Sequence, residues 1–291
     1  MVRNVFSELR KRWEEYDKLR MELDCKEQEI INLRREIEEL QARLSPPPKE
    51  PPKVQLPGML ISTMPKSGSV YIAHTLARSL GIELMSESIA HGFFPTYFLR
   101  PNILKILYEG NRLRQEHFDA SSINFLFLKQ YTDRMVTHFR DPRQATLSWV
   151  HHMIRRWTEN AMDPNYTLHL PPPSFLEWSF EEQVDWHIDE YLPPLVQWLR
   201  NWLDLGPEVD GIRILFTTYE EFLMDEQKYF EKILDFYEIP QESFVHHPVE
   251  KTLEYHFRVG TTDEWKSVFT PEQQRRATAI IGDDLLNRFG W

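Results

Sequence analysis

One cysteine, Cys25, stands among 291 residues. No intrachain disulfide can form, which suits a reducing compartment. No apolar run reaches about 18 residues, and the N-terminus is charged rather than patterned as a signal peptide. The expectation is a cytoplasmic protein with no transmembrane segment. Positive charge is in deficit, with 34 Lys and Arg against 45 Asp and Glu, a net charge of -11. That argues against generic nucleic-acid binding. It does not argue against a small polyanion, because a few basic side chains in one cleft reverse the local field. No Cys/His set has zinc-ligand spacing and no metal is expected; the adjacent pairs His151-His152 and His246-His247 point in different directions on a helix. Internal repeats are absent as well. What the chain does have is 41% hydrophobic residues, enough for a sizeable core without disulfides or metals.

Residues 1 to 45 differ from the rest. Leu9, Tyr16, Leu23, Ile30, Ile37 and Leu44 fall at heptad position a, and Val5, Leu19, Leu33 and Leu40 at d, while Arg12 and Lys26 interrupt the d row. This periodicity predicts a coiled-coil oligomerisation helix. Glu15 facing Arg20 and Glu29 facing Arg34 favour a parallel homo-oligomer, and Glu22 opposite Glu27 does not. A dimer comes ahead of a trimer, with a long solvated helix as the alternative. Residues 46 to 53 contain five prolines, which cannot continue a helix and favour an extended, semi-rigid linker.

From residue 54 to 291, strands alternate with helical patterns, the signature of an α/β domain with a central parallel sheet. Strands are predicted over 58–64, 135–139 and 212–217, and helices over 70–80, 102–113, 142–157, 180–203 and 227–237. The most informative stretch is a hydrophobic strand ending at Met64, the loop Pro65-Lys66-Ser67-Gly68-Ser69, and a helix starting near Val70. A loop that ends at a helix N-terminus offers free backbone N–H groups and the positive end of the helix dipole to an anion. Gly68 permits close approach of the backbone, Ser67 and Ser69 add hydroxyls, and Lys66 adds a mobile positive charge. No glycine precedes Lys66, so this is not a Walker A loop. Further on, Arg140 closes the strand Arg134-Met135-Val136-Thr137-His138-Phe139, Pro142 suits the first turn of a helix, and Ser148 lies two turns along it. Arg140 and Ser148 can converge on one phosphate.

The loop resembles the 5'-phosphosulfate loop of sulfotransferases, Pro-Lys-Ser-Gly-Thr-Thr-Trp in the cytosolic branch. Arg140-Asp141-Pro142 through Ser148 is similar to that family's 3'-phosphate segment. Arg258-Val259-Gly260-Thr261-Thr262-Asp263-Glu264-Trp265-Lys266 with Phe269-Thr270 resembles its C-terminal nucleotide-binding segment. Three ordered matches identify the chain as a member. The resemblance implies a P-loop-like three-layer domain using 3'-phosphoadenosine 5'-phosphosulfate (PAPS) as sulfuryl donor. It implies nucleotide contacts from Lys66, Ser67, Gly68, Ser69, Val70, Arg140, Ser148, Arg258, Val259 and Gly260. Tyr219, in a segment similar to the family's Tyr-Glu-Asp, is expected near adenine or as a core tyrosine. Catalysis would fall to Lys66, on the leaving phosphate, and to a general base. A family histidine a little over twenty residues before the 3'-phosphate Arg points to His117, with Glu116, Asp119, His91 and Glu87 as rivals.

Departures from the family pattern weaken the adenine contacts more than the phosphate ones. Ser69 and Val70 stand where two Thr are usual, Tyr71 replaces a Trp, Val259 replaces a Lys, and Asp263-Glu264 replaces Gly-Asp. They point to a bacterial-type or divergent member. The acceptor hydroxyl, on a glycan, glycolipid, phenol or secondary metabolite, is not legible. Trp157, Trp178, Trp186, Trp198 and Trp202 line an acceptor pocket or a lid, or serve as core or subunit contact. Two other function classes stand beside the transferase. One is a P-loop phosphotransferase, which lacks its Walker A loop and Mg²⁺-binding Asp here. The other is a catalytically silent coiled-coil module.

Overall fold

The computed structural model describes residues 55–159, 170–250 and 260–291, together with the exposed helical residue Lys26. Lys26 apart, the predicted coiled coil and the proline linker lie outside the described residues.

A run with no charge from Met59 to Thr63 is buried along its whole length, as befits a central strand covered on both faces. This strand, β1 (Met59–Thr63), is followed by α1 (Ser69–Leu80), β2 (Glu83–Leu84), the hairpin β3 (Ala90–Phe93) and β4 (Thr96–Leu99), and α2 (Pro101–Leu107). Next come β5 (Arg112–Glu116), α3 (Ser122–Leu128), β6 (Arg134–Phe139), α4 (Pro142–Thr158), α5 (Phe180–Glu190) and α6 (Leu192–Leu205). The chain continues through β7 (Glu208–Val209), β8 (Ile212–Thr218), α7 (Tyr219–Met224), α8 (Glu226–Phe236), α9 (Trp265–Val268), α10 (Pro271–Ile281) and α11 (Asp283–Phe289). The main sheet has the order β2-β5-β1-β6-β8-β7, parallel except for β7. Helices cover both faces. One core contains Ile72, Leu76, Phe222, Phe230 and Ile233 from α1, α7 and α8; the other contains Leu104, Phe125, Val150, Trp198, Trp202 and Ile281. This is the expected three-layer α/β architecture.

Two predicted helices need correction. The helix over 102–113 stops at Leu107, because Gly110 and Asn111 both take positive φ and reverse the chain into β5. The helix over 180–203 is two helices that meet at Tyr191. Pro193 and Pro194 cannot continue α5, but they fit the first turn of α6.

The sheet order makes the site. From β1 the chain first builds outward on one side, to β2 and β5, and later on the other, to β6 and β8. The crevice outside the carboxyl ends of the strands at such a reversal is where ligands bind in open α/β sheets. The ends of β1, β5, β6 and β8 carry Thr63, Glu116, Phe139 and Thr218. The segments beginning at Met64, His117, Arg140 and Tyr219 therefore leave the sheet on the same edge.

Candidate active site

Lys66 and Gly68 both take left-handed backbone (φ 64 and φ 78), the first at a steric cost that only a constrained turn sustains. Their side chains and those around them alternate. Ser67 and Ser69 are buried, whereas Lys66, Gly68 and Val70 keep partial exposure. Gly68 caps α1 with no side-chain hydrogen bond, and the first turn carries no acidic residue. The helix thus presents its positive end undiminished.

The loop is held from behind. Ser67 Oγ donates to the Met64 carbonyl at 2.7 Å, so this hydroxyl serves the loop. Arg140 Nη1 donates to the Lys66 carbonyl at 2.8 Å, and Nη2 donates to the Thr261 carbonyl. The guanidinium also lies 4.2 Å from the centroid of the Tyr219 ring, a cation–π contact in a buried setting. Arg140 therefore ties the loop to the segment after Gly260. Tyr219 leaves no room for a side chain at Gly68: a Cβ there would meet ring Cε2 at 2.6 Å. Tyr219 is buried among core aromatics, and burial pushes its hydroxyl pKa up. Tyr71 is likewise buried, donating to Glu226 at 3.2 Å and edge-on to Phe222.

On the other side of β1, Ser62 pairs with Glu116, which sets His117 beside Thr63. His117 Nδ1 lies 2.8 Å from the Thr63 carbonyl oxygen, with Thr63 Oγ1 at 3.1 Å. A carbonyl only accepts, so Nδ1 carries the proton and Nε2 keeps its lone pair. Burial lowers the His117 pKa below the usual imidazole value; the Thr63 bond and Glu116 oppose this, and Arg114 and Lys66 add to it. Three of the four rivals are engaged elsewhere. Glu116 is buried and accepts from Arg114 at 3.0 Å and Ser88 at 2.8 Å. Asp119 accepts from Asn124 at 2.7 Å and Ser121 at 3.1 Å. Glu87 pairs with Arg100, and His91 is exposed on the hairpin. Beside the loop, a cavity of about 260 Å³ is lined by Val70, His74, Leu84, Met85, Arg114 and Gln115.

The C-terminal segment docks on the start of α4. Trp265 N–H donates to Gln144 Oε1 at 3.2 Å, and the Arg143 guanidinium lies 3.9 Å from the centroid of the Trp265 ring. Asp141 holds Arg143 in a buried pair at 2.8 Å and caps α4 by accepting from the Arg143 N–H. Ser148 stays partly exposed, whereas Asp141 to Leu147, Trp149 and Val150 are buried. Gly260 takes φ 73, a left-handed conformation that favours glycine; Arg258 and Val259 lie outside the described residues. Of the five tryptophans between 157 and 202, Trp198 and Trp202 are core. Trp198 Nε1 donates to the Phe118 carbonyl, and Trp202 packs edge-on against Phe118 and Phe125.

Sequence reasoning missed two residues of this neighbourhood, Thr63 and His138. His138 had a signal: a histidine in an apolar central strand is a buried polar group that must find partners. It is fully buried, with Nε2 3.0 Å from the Ser67 carbonyl and Nδ1 2.9 Å from Tyr229 Oη and 3.0 Å from Thr217 Oγ1. Among the described residues no group of His, Cys, Asp and Glu is arranged to hold a metal ion, and no helix is long and apolar enough to cross a membrane.

Comparison with the sequences of curated proteins returns no match. Solved structures do match. A mouse sulfotransferase complexed with PAP superposes with a TM-score of 0.51 at 19% identity, over 80% of this chain and 88% of that one. A sulfotransferase from Alicyclobacillus acidocaldarius gives 0.40 at 17% identity, over 78% and 96%. The sulfotransferase domain of the Synechococcus PCC 7002 olefin synthase gives 0.40 at 15% identity, over 80% and 98%. At these identities the likeness of the mouse protein speaks to fold alone. The family model for the sulfotransferase domain matches residues 56–290, which takes in every strand and helix between Met59 and Phe289. By that match, this chain belongs to the sulfotransferase family.

Proposed function

We propose that the chain transfers a sulfuryl group from PAPS to an acceptor hydroxyl, with His117 as general base and Lys66 on the leaving phosphate. The carrying observation is the placement of an uncapped α1 N-terminus and a half-buried imidazole on adjacent strand ends, the imidazole with its Nδ1 proton committed to Thr63. Nε2 takes the acceptor proton as the acceptor oxygen bonds to sulfur. The bond from sulfur to the bridging phosphate oxygen breaks, and that oxygen leaves with the electron pair. Lys66 and the amides of the loop stabilise the charge that develops there, a contribution that grows in a water-poor site. Arg140, Ser148 and Gly260, with Arg258 and Val259, form the 3'-phosphate side in this reading. Arg140 reaches that role as a tether whose Nη1 and Nη2 already hold protein carbonyls. The cavity beside Val70 and Gln115 is the acceptor's approach.

Residues 1–45 are in this reading a parallel coiled coil that makes a homo-oligomer in the cytoplasm. Calorimetry with adenosine 3',5'-bisphosphate against ATP tests the nucleotide assignment. Preference for the bisphosphate, with turnover of PAPS lost in Lys66→Ala and in His117→Gln while binding persists in the latter, is expected. Preference for ATP, or normal turnover in Lys66→Ala, overturns the reading.

A further inference from the structure

A trans peptide points its C=O and N–H in opposite directions. In the loop, the carbonyl of Lys66 accepts from Arg140 at 2.8 Å and the carbonyl of Ser67 accepts from His138 at 3.0 Å. The Phe94–Pro95 bond apart, the described peptides are trans. Holding those two oxygens inward therefore turns the N–H groups of Ser67 and Gly68 away from the sheet. We propose that His138 is a positioning residue that aims the Gly68 N–H into the anion site by fixing the Ser67–Gly68 peptide from behind. The proposal rests on the sulfotransferase reading of that site, and it extends it to a residue with no place in the three family segments.

Only one tautomer fits. The Ser67 carbonyl can only accept, so Nε2 carries the proton. Nδ1 is then an acceptor, and the hydroxyls of Tyr229 and Thr217 are the donors within reach, 3.3 Å from each other. Tyr229, packed edge-on to the imidazole at 5.6 Å, thereby sets which nitrogen faces the loop. The arrangement is rigid because its parts are. His138 lies opposite Thr63 in the β1–β6 register, and its own carbonyl accepts from the Met64 N–H at 2.8 Å. A donor on a central strand places the peptide within a fraction of an ångström, as a preorganised anion hole requires.

The test separates the donor from the rest of the ring. His138→Gln places an amide N–H near the Nε2 position. His138→Leu and His138→Asn do not reach the Ser67 oxygen, and Tyr229→Phe removes only the partner behind Nδ1. Affinity for adenosine 3',5'-bisphosphate is measured by calorimetry on the full chain, and crystal structures of the same variants read the peptide. The expected result is a loss of about tenfold or more in His138→Leu and His138→Asn, with a rotated Ser67–Gly68 peptide. His138→Gln and Tyr229→Phe should stay within about threefold of wild type, although Tyr229→Phe loses stability. Folded His138→Leu or His138→Asn with wild-type affinity and an unmoved peptide overturns the proposal, as does His138→Gln failing like His138→Leu. Should the wild type bind no bisphosphate, the sulfotransferase reading of the site falls, and the peptide orientation in the variants alone decides the role of His138.

Discussion

Gly68→Ala puts two costs on one methyl group. The backbone there has φ 78, and an L-residue in left-handed conformation costs roughly 1–2 kcal/mol. The new Cβ would also lie 2.6 Å from Cε2 and 2.9 Å from Cδ2 of Tyr219, closer than any real contact. The ring cannot swing away easily, because it is buried, stacked near Arg140 at 4.2 Å and packed on Phe222 at 5.8 Å. Forcing a methyl into such packing costs about 1–3 kcal/mol. The sum, about 2–5 kcal/mol, converts to a fall in Tm of about 5–15 °C for a domain of this size. Part of the strain will be relieved by moving the loop, so affinity for adenosine 3',5'-bisphosphate should fall at least about tenfold. Thermal melts and calorimetry on the single variants and on Gly68→Ala with Tyr219→Leu check the cause. The steric half should vanish in the double variant, giving a coupling of about 1 kcal/mol or more. Strict additivity, or a Gly68→Ala protein that melts and binds like wild type, would refute the reasoning.

Asp141→Ala strands Arg143 in the interior and removes the α4 cap, so denaturant unfolding should show a loss of about 3–5 kcal/mol; under about 1 kcal/mol would mean that the pair is solvated. The His117 pKa is lowered by burial, so activity as kcat/KM should fall on the acid side with a midpoint below 6.5, and a midpoint at or above 6.5 would argue against His117 as the base. Burial lowers the pKa of both His138 and His187 to about 4. The unfolded chain therefore takes up protons first. Each histidine contributes stability that is present above about pH 6.5 and lost as pH falls towards 4, about 3 kcal/mol apiece. Urea unfolding between pH 7 and 4 should show that slope, shallower in His187→Leu, and an identical slope in that variant would remove His187 from the account. Deleting residues 1–53 should lower the oligomeric state seen by light scattering while nucleotide binding stays nearly intact; an unchanged oligomer would place the interface on the catalytic domain.

What could be read from the residues alone was local. A charge-free strand, a loop with Lys66 and Gly68 and a helix start are contiguous, and each rests on backbone rules that act within a few residues. The same holds for Arg140 at a strand end before Pro142. β5 was not legible, because Arg-Leu-Arg-Gln-Glu carries neither alternation nor β-branched residues and becomes a strand only between β1 and β2. Nor were the partners of the site residues. Arg140 with Thr261, His138 with Tyr229 and Gly68 against Tyr219 are separated by 121, 91 and roughly 150 residues. Such pairs depend on which strand ends lie side by side. Parallel strands joined by crossovers can be ordered in several ways without changing any local pattern. The residue types were thus set along the chain, and which of them meet at one site was decided by the order β5-β1-β6-β8, which brings four distant strand ends to one edge of the sheet.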